Sequence, residues 1–95
     1  MSAGRGILHS EYNLEDETTT LFQIWIESDA RGGVPSWGTK QFPRTQRAGE
    51  FVPLASGFEG DVDALPIRAE ARVLGATIKA GETIEYRMGT QRHAY

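Results

Sequence analysis

The chain has 95 residues, a formal net charge of −3 and no cysteine. That length holds at most one compact domain with a modest core, and the missing cysteine excludes disulfides and thiolate zinc sites. The mild acidity and the scattered Lys and Arg exclude the one-sided basic field that nucleic acid binding needs. No apolar run approaches the roughly 18 residues of a membrane span, and the N-terminus lacks the basic-then-apolar pattern of a signal peptide. A soluble cytoplasmic protein is expected, with no nucleic acid or membrane partner.

Eleven glycines, four prolines and many β-branched residues predict short strands and tight turns. No segment keeps the i, i+3, i+4, i+7 apolar spacing of an amphipathic helix, so the fold class read from the pattern is all-β. In chain order, Gly4 and Gly6 loosen a turn before an extended run, Ile7 to Tyr12. Alternate residues of such a run share a face, which sets His9 beside Glu11: an imidazole and a carboxylate, either half of a metal site or an acid/base pair. Asn13 to Thr20 reads as a solvated acidic loop. Thr19 to Ser28 is the clearest strand, with Phe22, Ile24 and Ile26 on one face and Leu21, Gln23, Trp25 and Glu27 on the other. The two runs predict an antiparallel hairpin whose register the long loop does not set.

Residues 29–50 have turn and linker composition and mark a boundary between structural units. Lys40 to Pro43 reads as one short edge strand and Thr45 to Glu50 as loop. Beyond them, Phe51 to Ala55, Leu65 to Arg68, Arg72 to Lys79 and Thr83 to Met88 read as short strands. Arg72 to Lys79 is apolar on both faces, so it is either covered twice or packed closely at Gly75. The expected core and interface are Phe22, Ile24, Trp25, Ile26, Phe51, Leu74, Ile78, Ile84 and Tyr86.

Other chemistry-bearing residues carry plainer readings. His93 is read as a structural histidine, Tyr12 and Tyr86 as core, and Trp37 as packing over a rim. Lys40, Arg44 and Arg47 form a solvated face. Glu59, Asp61 and Asp63 alternate in a Gly-containing turn but lack the downstream Glu of a calcium loop.

The opening Met1-Ser-Ala-Gly-Arg-Gly-Ile-Leu-His-Ser-Glu-Tyr, followed by Leu21-Phe22-Gln23-Ile24-Trp25-Ile26, closely resembles the pirin family. Leu54-Ala55-Ser56-Gly57, Leu65-Pro66-Ile67-Arg68-Ala69, Lys79-Ala80-Gly81-Glu82 and Arg92-His93-Ala94-Tyr95 follow in that family's order. Pirins are bicupins, and the resemblance implies cupin (RmlC-like jelly-roll) β-barrel strands. It implies the middle portion of such a protein: residues 1–28 end the N-terminal cupin, 29–50 link, and 51–95 begin the C-terminal cupin. A partial barrel of this kind is expected to be completed by dimerisation, as a homodimer through exposed strands.

In the family, iron is held by three His and one Glu. The His-x-Glu part matches His9 and Glu11, and the earlier His-x-His has no counterpart here. The resemblance therefore implies a pirin-like cupin protein with an incomplete metal site, iron weakly held or absent, and catalytic residues unknown. The alternative it implies is a metal-dependent dioxygenase of quercetin 2,3-dioxygenase type, its site completed by a partner chain or further sequence.

Overall fold

A proline, a serine and two glycines decide where the sheet forms. In the computed structural model, which describes all 95 residues, the regular elements are β1 (Val52–Ser56), β2 (Leu65–Pro66), β3 (Arg72–Gly75) and one 3₁₀ turn (Arg44–Arg47). The sheet order is β2-β1-β3. β2 lies parallel to β1, with Ala55 opposite Leu65 and Ser56 opposite Pro66. β3 lies antiparallel, pairing Val52 with Gly75, Pro53 with Leu74, Ala55 with Val73 and Ser56 with Arg72. Leu54 is the extra residue of a bulge. Pro53 has no N–H to give the ladder, so the pairing slips beside it.

Beyond β1, Gly57 N–H donates to the Ala71 carbonyl (3.0 Å), and Ile67 N–H donates to the Ser56 carbonyl (3.0 Å). Both neighbouring segments thus close on Ser56–Gly57. Ser56 and Ala69 are the two buried residues of the chain, at 5% and 7% exposure. A Cβ on Gly57 would stand 1.8 Å from the Ala69 carbonyl oxygen, so this approach is open to glycine alone. At Gly75 the missing side chain leaves room for Leu54 and the Arg47 guanidinium, the close packing expected there. The 3₁₀ turn is tied alongside: Gly49 N–H donates to the Thr77 carbonyl (2.9 Å) and Thr77 N–H to the Arg47 carbonyl (2.8 Å).

The linker composition of 29–36 does not leave it loose. Ser2 and Ser36 form an antiparallel bridge, with N–H to carbonyl distances of 2.7 and 3.0 Å. Arg5 N–H donates to the Gly33 carbonyl (3.0 Å), and Gly4, at φ 53°, lies where a Cβ would strike that same oxygen. From the other side, Arg68 Nη2 donates to the Val34 carbonyl (2.7 Å), while Asp29 N–H donates to the Arg68 carbonyl (2.9 Å).

The hairpin expected from Ile7 to Ser28 is present without its ladder. Gly6 to Leu14 and Thr18 to Ser28 run without turn or bend, separated by a bend at Glu15 to Glu17. Side chains set them antiparallel. His9 meets Gln23, and four residues on, Asn13 meets Thr19, four residues back from Gln23. The Asn13 amide also donates to the Glu17 carbonyl (2.7 Å) and accepts from Glu15 N–H (3.0 Å), which closes the bend. No backbone group of Thr18–Ser28 bonds to another backbone group. The same holds for the expected strands Lys40 to Pro43, apart from the Pro43 carbonyl that opens the 3₁₀ turn, and Thr83 to Met88.

The expected core needs correcting here. Phe22, Ile24, Trp25 and Ile26 are 91%, 64%, 82% and 40% exposed, and Tyr12 and Ile78 are exposed as well. Alternation marks which face is apolar, and no layer of this chain lies on it. Phe51 and Tyr86 do meet, edge to face at 5.7 Å, at the rim of the sheet. The barrel is likewise not closed: the sheet is open and three-stranded. The accessible surface is 8818 Å², against about 5,400 Å² for a compact chain of this mass. The radius of gyration, 15.4 Å, exceeds the roughly 12 Å of a compact 95-residue domain.

Gly57→Ala should cost at least about 2 kcal/mol of stability, because backbone rather than a pliable side chain blocks the new methyl. Gly60→Ala, where a Cβ meets nothing within 4 Å, is the matched control. Urea unfolding, with amide exchange at Gly57 and Ile67 read alongside, checks both.

Candidate functional site

His9 and Glu11 lie in the first run of the ribbon, and both are exposed. His9 Nε2 stands 3.1 Å from Gln23 Nε2. The two nitrogens are within hydrogen-bond reach, with the roles set by the His9 tautomer. The antiparallel register places Glu11 across from Leu21, and Glu11 enters no ion pair. His93 lies in the exposed C-terminal run. No group of three or more His, Asp or Glu side chains comes together anywhere in the chain.

A non-haem iron centre takes at least two His and a carboxylate, with positions left open. His9 and Glu11 are of the right kinds, and they are two donors. The residues present do not make up the set, and His93 does not join them. No pattern in the sequence points to Gln23 as part of this site. Its contact with His9 depends on a register that the composition of the loop leaves open.

The best-built polar cluster lies elsewhere, around Asp61. The loop 57–64 folds through two turns, Asp61 N–H donating to the Phe58 carbonyl and Ala64 N–H to that of Asp61, each 3.1 Å. These turns carry the Asp61 carboxylate back over β1. Arg72, the first residue of β3, grips it in a two-pronged pair, Nε to Oδ2 at 2.5 Å and Nη2 to Oδ1 at 3.3 Å. The Ser56 hydroxyl donates to Oδ2 (2.5 Å) and accepts from Phe58 N–H (3.0 Å). Arg72 Nη1 reaches the Tyr86 hydroxyl at 3.3 Å.

The Phe58 ring has the Arg72 guanidinium 4.5 Å and the Arg92 guanidinium 5.3 Å from its centroid. Arg92 in turn donates to the Glu70 carbonyl (2.9 Å) and carboxylate (2.7 Å). Cations over an aromatic face are attracted by its quadrupole. The guanidinium of Arg72 and then the Ser56 hydroxyl hold the Asp61 carboxyl below its ordinary value, and Asp61 raises Arg72. Both charges are spent on each other, so the cluster fastens the loop to the sheet and leaves no free acid, base or nucleophile. Asp63 goes to Lys40, whose Nζ donates to its carbonyl and lies 3.8 Å from its carboxylate. Asp61 and Asp63 of this turn thus go to two different cations, and Glu59 enters no ion pair.

The linkage has a definite sign. A carboxyl whose folded pKa is depressed contributes stability above its unfolded pKa, about 3.9, and loses it as pH falls through the lower folded value. Protection of the Asp61 and Ala64 amides should therefore hold from neutral pH down to about 4 and fall away below it. Asp61→Asn should lower that protection at neutral pH and remove its acid dependence. Amide exchange followed across the pH range checks this.

Comparison with known proteins gives the chain relatives along its whole length. It is 65% identical over all 95 residues to a "Pirin-like protein" of Caulobacter vibrioides, of which it covers 41%. It is 59% identical, again over all 95 residues and 41% of the other chain, to a "Putative quercetin 2,3-dioxygenase" of Pseudomonas aeruginosa. A "Quercetin 2,3-dioxygenase" of Escherichia coli is 45% identical over 47 residues, 48% of this chain and 20% of that one. The chain spans about two fifths of the length of the relatives it matches throughout. No protein-family model and no solved structure matches it.

Proposed function

We propose, from the premise that this chain is pirin-like over its whole length, that it acts as a cupin-type segment presenting His9 and Glu11. On this reading they are two of the donors of a metal centre whose others come from outside these residues. The observation that carries the reading is an imidazole and a carboxylate at alternate positions of one exposed run. The donor set suits a divalent transition metal, iron by the family's habit. Gln23 keeps the His9 ring oriented and its Nε2 hydrogen-bonded. A metal taking that nitrogen has to displace the amide.

The activity follows from the same count. By itself the chain has a vestigial ligand pair and no catalysis. Given the missing donors, it becomes part of a dioxygenase of the quercetin 2,3-dioxygenase type, as two of its relatives are named. No helix of the chain is long and apolar enough to cross a membrane, and a cysteine-free, mildly acidic composition suits the cytoplasm.

Loading with Fe(II) under anaerobic conditions, then metal analysis at a mass set by light scattering, tests this. No iron should survive desalting of the folded chain. About one iron per chain or per pair of chains would overturn the vestigial reading and favour the dioxygenase, to be followed by flavonol turnover. Any weak binding seen before desalting should vanish in His9→Ala with the mass of the protein unchanged, because His9 lies outside the apolar face of Phe22, Ile24 and Ile26.

A further inference from the structure

Residues 83–88 have no ladder, and a turn lies at each end of them. Glu82 N–H donates to the Lys79 carbonyl and Arg92 N–H to the Gly89 carbonyl, each 3.1 Å. Only two side chains carry polar contacts from residues 83–95 to the rest of the chain. Tyr86 takes a bond from Arg72 Nη1 and meets Phe51 edge to face. Arg92 bonds to Glu70 and lies over the Phe58 ring. Ile84 is half-buried, while Tyr86 and Met88 are exposed, so little apolar surface helps to hold the run.

Both tethers lead back to Asp61. The Arg72 guanidinium is planar and rigid. Asp61 holds its Nε and Nη2, and that fixes where the remaining Nη1 points, which is at the Tyr86 hydroxyl. The second tether follows another path. Asp61 accepts from the Ser56 hydroxyl, which in turn accepts from Phe58 N–H. The same carboxylate thus helps to place the ring on which Arg92 rests. We propose that residues 83–92 form a strap latched by Asp61. While the carboxylate grips Arg72, the strap is seated against Phe51 and Phe58. Neutralising that carboxylate frees the strap before the β1–β3 ladder opens.

The order of release follows from what holds each part. β1 and β3 are joined backbone to backbone over four residue pairs. The strap is joined by side chains alone, and an arginine freed of its partner regains its rotamers, so Nη1 is no longer presented to Tyr86. Acid acts in the same direction. Asp61 and Tyr86 face Arg72, Glu70 faces Arg92, and the two guanidiniums share the Phe58 ring. Protonating both carboxylates leaves two like charges on one ring, with Arg92 keeping only the Glu70 carbonyl. The inference stands apart from the metal reading, since it uses neither His9 nor Glu11.

Backbone ¹⁵N relaxation at neutral pH tests the latch. In the unmodified chain the order parameters of residues 83–88 should match those of β1, about 0.85. In Asp61→Asn they should drop below about 0.6, the range of mobile segments, while the amides of β1 and β3 stay protected from exchange. Tyr86→Phe keeps the ring on Phe51 and loses the hydroxyl, and it should loosen residues 83–88 and leave the loop 57–64 as it was. Arg72→Lys keeps a positive charge for Asp61 without the rigid fork, and it should loosen the run likewise. That variant decides the matter if Asp61→Asn opens the ladder too. Three results would overturn the proposal. One is a run already as mobile as residues 93–95 in the unmodified chain. Another is a run that stays rigid in any of the three variants, which makes Ile84 its anchor. The third is a loop 57–64 that loosens in Tyr86→Phe as much as the run does, which makes the two one cooperative unit with no latch between them.

Discussion

The grip of Arg72 on Asp61 is the interaction on which the ordered part of this chain depends. It joins the loop 57–64 to the start of β3, and through the Ser56 hydroxyl it reaches the most buried point of β1. The parallel strand β2 follows that loop, so its place beside β1 is set once the loop is fastened. Phe58 then lies under the same guanidinium, and Arg92 shares its ring from a later segment. One two-pronged ion pair thus organises three strands that bury little apolar surface between them. Such pairs are worth more than a single exposed contact because geometry and charge act together.

Much of the ordered part was legible beforehand, for a reason that also explains the failures. β1, β2 and β3 fall inside the segments Phe51 to Ala55, Leu65 to Arg68 and Arg72 to Lys79, β1 running one residue past the first. Short β-rich runs between turn residues report their own conformation. Closeness at Gly75 was legible because an apolar run with a glycine in it needs a neighbour to fill the gap. The burial of Phe22, Ile24 and Ile26 was not, because alternation describes one strand and burial needs two layers. The barrel is in the same position: β-strands form in the expected segments, and closure depends on surfaces that this open sheet does not meet.

The same division runs through the candidate site. His9 and Glu11 could be found from their spacing alone, since alternate residues share a face. Gln23 could not, because it reaches His9 only through the ribbon's register, which Asn13 and Thr19 set from the far end. Asp61 was seen as one acid in an acidic turn. Its bond to Arg72 crosses the sheet, and no local pattern announces a contact that the topology creates. The similarity to relatives identical at 65% and 59% runs over the entire chain, which spans about two fifths of their length.

The clasp on residues 29–36 bears on what this chain tolerates in mutation. Ser2, Arg5 and Arg68 all take hold of it through peptide carbonyls and amides: those of Ser36, Gly33, Val34 and Asp29. Main-chain groups are common to nearly every residue. Identity is therefore demanded at few places, Gly4, Gly32 and Gly33 for their positive φ and Arg68 for its reach. Ala30, Val34 and Trp37 can drift to other side chains without loosening the connection. A segment that looks permissive in composition can in this way hold a fixed path, its constancy written in the backbone and invisible in the letters.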